Sequence, residues 1–231
     1  MNARLANVRR LREDQAGLGI VEIMVTLAIL AIVLTLITGM FMSTSRVVAT
    51  GTSINTSTKA ASLGLNELSK ALRFAASNPV SGQAVDDPAF VTAKNNLLTV
   101  ISYIDVNAAN PKPTKLAFTI DGQGRLIEVR YDSYAVSSGF WAFQSTAAST
   151  RILTGALVPP TGSEPELFTY LDSNNAPLTM PSSGLTAAQL PTVAAVQVYF
   201  KLKSDDASTG NPVAFQSVIG LPNLGINRTG Q

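Results

Sequence analysis

With 231 residues, 46% hydrophobic and only 14% charged, the chain has room for one helical anchor and one globular domain of ordinary size, not for two large domains. It contains neither Cys nor His, which excludes disulfides, thiolate metal sites and the usual forms of serine-triad, zinc-hydrolase and His-relay chemistry. The net charge of +2 sits entirely in residues 1–17, where Arg4, Arg9, Arg10 and Arg12 face Glu13 and Asp14; the remainder is balanced, so no nucleic-acid-binding surface built on bulk charge is expected.

Residues 1–17 are polar and Arg-rich and read as a cytoplasmic leader. They run into Ala16-Gly17-Leu18-Gly19-Ile20-Val21-Glu22, after which no charge appears until Arg46. From Ile23 to Ser45 there is neither charge nor proline. As a helix that segment extends about 35 Å, against a hydrocarbon core of about 30 Å, so it can span once. The arginines place its N-terminal end in the cytoplasm and the bulk of the chain outside, since only Arg46 and Lys59 lie comparably close on the far side. A secretory signal peptide cleaved near Val47-Val48-Ala49 is the competing reading; the apolar run is well beyond a 7–15-residue signal core, and Glu22 sits inside its front edge. A plain single-pass anchor is the other.

Glu22 needs a reason, because a charged side chain costs roughly 2.5–3.5 kcal/mol at the bilayer centre and less near an interface. Cutting the Gly17–Leu18 bond would create a free α-amine one helical turn from that carboxylate. A carboxylate that merely snorkels to the headgroups explains Glu22 but gives no account of Gly17. These residues resemble the type IV prepilins and the pseudopilins of type II secretion, whose short basic leader ends in Gly, with an apolar first mature residue and Glu at the fifth. Gly17, Leu18 and Glu22 fall on those positions. The first mature residue is Leu here where Phe is commonest, and the proline that often kinks the pilin helix is absent, with Gly39 in the same region.

The resemblance implies that a prepilin peptidase cuts after Gly17 on the cytoplasmic side and methylates the amine of Leu18. It implies further that Glu22 neutralises that amine on a neighbouring subunit in a filament, which would specify axial stacking. The partners so implied are the peptidase, other pilins or pseudopilins, the inner-membrane assembly platform and the membrane itself.

Beyond the span, Val47, Ile54, Ala61, Leu68 and Ala75 recur every seven residues, with Leu65 and Leu72 filling the same stripe. The helix is expected to continue outward and pack this stripe on a sheet. Thr50 to Thr58 is rich in modest helix formers and is expected to fray or be irregular; Lys59 to Ala76 is a better helix, closed by Ser77-Asn78-Pro79. Residues 79–94 read as loop and Leu97 to Val106 as strand. The clearest hairpin follows: Leu116, Phe118 and Ile120 alternate with polar residues, Asp121-Gly122-Gln123-Gly124 turns, and Ile127, Val129 and Tyr131 alternate with Glu128 and Arg130. One face is expected to be buried and the other wet.

Phe140 to Phe143, Ile152 to Val158, Glu166 to Asp172, Val193 to Leu202 and Val213 to Leu221 are further strand candidates, the last two forming a terminal hairpin across Ser204 to Pro212. Leu185 to Gln189 reads as a helical turn. The segments Glu166 to Asp172 and Ile219 to Asn223 resemble the last part of minor pilins of the J or W type. Phe140, Trp141 and Phe143 could form an adhesive or interface patch, but core packing is the preferred reading. Asp86-Asp87, Asp172 with Asn174 and Asn175, and Asp205-Asp206 are oxygen-rich, yet none completes a calcium loop; solvated turns are expected.

The expected fold is α+β: a long N-terminal helix, transmembrane in its first half and amphipathic in its second, packed on a mostly antiparallel sheet. Residues 1–17 would be a removed leader, 18–78 the transmembrane and stalk helix, and 79–231 an extracytoplasmic globular domain. The expected function is that of a minor pilin or pseudopilin, anchored once in the bacterial inner membrane with its C-terminal domain outside, then assembled into a pilus-like filament or its tip or priming complex. It is not expected to be an enzyme, and no catalytic residue, metal or cofactor is expected. The alternatives are a type II secretion minor pseudopilin and, from a different class, a single-pass membrane-anchored binding or sensor domain.

Overall fold

A computed structural model describes residues 19–104, 111–203 and 212–224. The first element is helix α1, Ile20–Arg73, 54 residues without a break. Its hydroxyl residues are satisfied within it: Thr35 donates to the Ala31 carbonyl at 2.8 Å, Thr38 to Leu34 at 2.7 Å and Thr56 to Thr52 at 3.0 Å. A hydroxyl bonded back to the preceding turn is satisfied without water, which suits an apolar stretch. The irregularity expected over Thr50 to Thr58 does not occur. Propensity penalties of a few tenths of a kcal/mol per residue are too small to interrupt a helix that continues on both sides.

The chain divides at Gly51/Thr52 into two compact units. In the first, the helix carries an apolar surface along its length. In the second, its remaining turns lie on an eight-stranded sheet in the order β1-β2-β3-β4-β7-β9-β10, with β8 also paired to β9. The strands are β1 (Phe90–Ala93), β2 (Leu97–Ser102), β3 (Thr114–Ile120), β4 (Arg125–Tyr131), β7 (Ser149–Val158), β8 (Phe168–Leu171), β9 (Ala195–Leu202) and β10 (Val213–Gly220). Every pairing is antiparallel. Strands β5 (Ser133–Ser137) and β6 (Phe140–Phe143) form a separate hairpin between β4 and β7. The observed architecture is therefore α+β, a long N-terminal helix with an amphipathic half packed on a mostly antiparallel sheet.

The seven-residue stripe explains the packing. Ala61, Leu68, Leu72 and Ala75 are at most 1% exposed and join Phe90, Leu98, Val100, Leu116, Phe118, Leu126, Tyr170, Val196 and Val198 in one core. Leu65 is partly buried against it, whereas Val47 is exposed, and the side chain of Ile54 lies outside the described residues. Inside the core, Phe90 and Tyr170 meet edge to face with ring centres 6.1 Å apart. Small residues bring the helix close: a Cβ on Gly64 would lie 3.0 Å from the Leu153 carbonyl oxygen.

The helix stops at Arg73, before the expected end at Ala76. Phe74 to Ala76 are drawn to the end of β2: the Ala76 amide donates to the Ile101 carbonyl at 3.1 Å and the Tyr103 amide to the Phe74 carbonyl at 3.0 Å. The last helical carbonyl, that of Arg73, accepts from Asn223 Nδ2 at 3.0 Å. Sheet pairing and a side-chain cap thus replace three more residues of helix.

The predicted hairpin is β3 and β4, with Phe118 opposite Glu128 and Ile120 opposite Leu126. Gly124 closes its turn with φ +74, a conformation that a side chain disfavours. The facing of β4, however, is the reverse of expectation. Leu126 is buried and Glu128 shares the face of buried Phe118, while Ile127, Val129 and Tyr131 are half-exposed on the other face. The period was correct and the phase was not. The terminal hairpin is as expected, with Val196, Val198 and Phe200 of β9 buried and Phe215 of β10 stacked on Phe200 at 5.5 Å. Leu185 to Gln189 forms turns, and the helical turn comes just after, as a 3-10 helix at Leu190–Thr192.

The aromatic group of β6 also departs from expectation. Phe140, Trp141 and Phe143 are half-buried and none belongs to the core. Among the described residues their strand pairs only with β5, outside the eight-stranded sheet that buries the core.

Candidate functional site

The amino-terminal end of α1 is built by its own backbone. The Gly19 carbonyl accepts from the amides of Glu22 at 2.8 Å and Ile23 at 3.2 Å. Glu22 occupies the first turn, where the helix dipole favours a carboxylate, and its side chain is exposed with no ion pair among the described residues. Thr26 donates its hydroxyl to the carbonyl oxygen of Glu22. The carboxylate is thus on the surface of a largely apolar cylinder, with no ion-pair partner among the described residues.

What surrounds it is decisive for its chemistry. From Ile20 to Val48, large aliphatic and aromatic side chains are exposed all round, none of them less than 43%. Contiguous apolar surface on this scale marks a membrane or a protein partner. Ile20–Thr52 is long and apolar enough to cross a membrane, which supports a membrane-anchored topology.

Residues 12–38 match the family described as the prokaryotic N-terminal methylation motif. The chain carries this methylation motif. It is characteristic of the N-termini of type IV pilins and pseudopilins, and the helix-on-sheet fold beyond it is the α+β arrangement expected with it. No curated protein matches the chain. The span of the methylation motif includes Gly17, Leu18 and Glu22. Gly17 and Leu18 lie outside the described residues, so the geometry of the peptide bond between them is not on display; Glu22 is placed as above.

The motif and fold are consistent with a non-enzymatic structural subunit. Among the described residues no three of His, Cys, Asp and Glu come together as a metal site. Asp172 uses Oδ1 to accept from the amides of Asn174 at 2.8 Å and Ala176 at 2.9 Å, tying its own turn. The Asp87 backbone exchanges hydrogen bonds with that of Asn78. Asp205 and Asp206 lie outside the described residues.

Two charged arrangements were not foreseen. On the face of the sheet beneath the helix, Arg151 Nη2 lies 2.9 Å from Glu67 and 3.2 Å from Glu128. Glu67 first, by its hydrogen bond, and then Glu128 hold the guanidinium above its ordinary pKa. The signal in the sequence was Glu128 itself, an acid at the position in the β4 alternation that the sheet turns inward. The second is a set of lysines over aromatic rings: Lys112 Nζ is 5.7 Å from the centre of Trp141, and Lys115 Nζ is 4.6 Å from that of Tyr131 and 5.6 Å from that of Phe143. No spacing links these residues, which come from three separate segments.

Proposed function

We propose that the chain is a minor pilin or pseudopilin subunit that assembles through α1. Prepilin peptidase removes residues 1–17 by cutting after Gly17 and methylates Leu18. The mature helix, 18–78 with its exit segment, then anchors residues 79–231 outside the inner membrane. The observation that carries this reading is the match over residues 12–38 to a motif whose helix presents Glu22, without an ion pair among the described residues, on a largely apolar surface.

In a filament the apolar surface of α1 is covered by the same surface of its neighbours, and Glu22 meets the amine of Leu18 on one of them. A register error would strand two charges in apolar surroundings, at several kcal/mol. The energy of assembly is then non-directional burial, while the single ion pair selects the register. Pilus and type II secretion pseudopilus use the same chemistry at this end of the chain.

The test is the start of the mature protein. Produced beside a prepilin peptidase, the chain should begin at N-methylated Leu18 by intact-mass and N-terminal analysis. A chain that starts at Met1 or near Thr50 in cells that nonetheless build the filament would overturn the proposal.

A further inference from the structure

The β5-β6 hairpin frames an open hollow of about 390 Å³ whose walls include Phe140, Trp141, Phe143, Lys115, Asn78 and Asp87. The rings supply apolar faces that the core does not use, since all three are half-buried. Lys112 stands over Trp141, and Lys115 over Phe143 and Tyr131, and neither ammonium has a carboxylate partner among the described residues. Asn78 is only 2% exposed and rigidly held: its backbone pairs with Asp87 at 2.9 and 3.0 Å, and its Nδ2 donates to the Trp141 carbonyl at 3.1 Å. Its Oδ1 has no partner among the described residues, an uncommon state for a buried acceptor.

The geometry points to a binding site for an acidic saccharide. A sugar ring has a flat C–H face that stacks on Trp141 or a neighbouring ring, hydroxyls that donate to Asn78 and Asp87, and, in a hexuronate, a carboxylate for Lys112 or Lys115. Each requirement corresponds to a residue type present in the hollow. A nucleic acid fits less well, because single-stranded binding relies on a cationic groove that tracks the backbone, and here two lysines share the surface with Asp87. The site lies wholly in the sheet unit and does not depend on how the N-terminus is processed.

Trp141 is the only tryptophan in the chain, so its emission reports on this hollow alone. The experiment titrates the full chain, in a zwitterionic detergent without a sugar headgroup, with an oligogalacturonate. A neutral oligogalactose, an oligothymidylate and an oligoglutamate serve as comparators. The expected result is saturable quenching by the oligogalacturonate, weakened by salt and weakened about tenfold or more in K112Q/K115Q, with K112R/K115R retaining most of it. Circular dichroism of the variants separates lost binding from lost folding. Absence of saturable quenching, an equal response to the neutral sugar, a stronger response to the oligothymidylate or oligoglutamate, or full binding by folded K112Q/K115Q would each overturn the assignment.

Discussion

Gly64 of α1 and Leu153 of β7 meet backbone to backbone: a Cβ on the glycine would lie 3.0 Å from the Leu153 carbonyl oxygen and 3.1 Å from Thr154 Cγ2. The contact carries the amphipathic half of the helix down onto the sheet and lets Ala61 and Leu68, one turn to either side, reach full burial. Glycine costs the helix roughly 0.5–1 kcal/mol relative to alanine, so the approach is maintained against local propensity.

Gly64→Val is therefore expected to destabilise the sheet unit by about 1–3 kcal/mol, because the obstacle is a strand carbonyl rather than a mobile side-chain tip. Chemical denaturation of the full chain in detergent, followed by sheet circular dichroism, measures this. An unchanged midpoint would mean that the helix has room to lift.

Arg151 sits between Glu67 and the nearly enclosed Glu128, whose side chain is 12% exposed. Arg151→Met should cost about 1–3 kcal/mol by leaving that carboxylate unpaired, and Glu128→Gln on the same background should return much of the loss. The Glu67 arm is half-exposed and contributes at most about 1 kcal/mol, falling with salt. A double-mutant cycle in urea at two ionic strengths checks both statements; strict additivity would exclude the coupling.

Two carboxylates contribute to the acid limb of stability. Asp121 is held below the ordinary range chiefly by the Arg125 amide and also by its guanidinium, and Glu164 chiefly by Lys201 at 2.7 Å and then by the Thr161 amide. A depressed folded pKa contributes stability that is complete above the unfolded value and fades as pH falls through the folded one. The midpoint of unfolding should hold steady between pH 7 and about 5 and drop below about 4. In Glu164→Gln that drop should be shallower, by comparison of thermal scans across the pH series.

Glu22→Ala should be processed to Leu18 much as the parent chain is, yet enter filaments about 100-fold less efficiently, since an unpaired amine in lipid costs on the order of 2.5–3.5 kcal/mol. Quantitative immunoblotting of sheared filaments against membrane fractions reads this. Normal incorporation would remove the role proposed for the carboxylate.

The methylation motif, the span and the strand pattern of the terminal hairpin were legible because each is a local property. A basic N-terminal stretch, an uninterrupted apolar run and a period-two alternation need no knowledge of what lies opposite. The hydrophobic stripe from Ala61 to Ala75 was legible for the same reason, and its burial follows from a period near that of the helix. The facing of β4 was not: Leu126 and Ile127 offer equally apolar choices, and only the pairing of Phe118 with Glu128 decides which face turns inward.

What the amino-acid sequence determined alone was therefore the membrane-length apolar run, the methylation motif and the class of the fold. Tertiary structure decided where α1 ends, since the pull of β2 on Phe74 to Ala76 is a non-local hydrogen-bonding gain that no propensity records. It likewise decided that Phe140, Trp141 and Phe143 stay out of the core, and that Lys112 and Lys115 gather over aromatic rings from distant segments. Local sequence sets periods and lengths; which groups face one another depends on the closure of long loops, and only the folded chain resolves it.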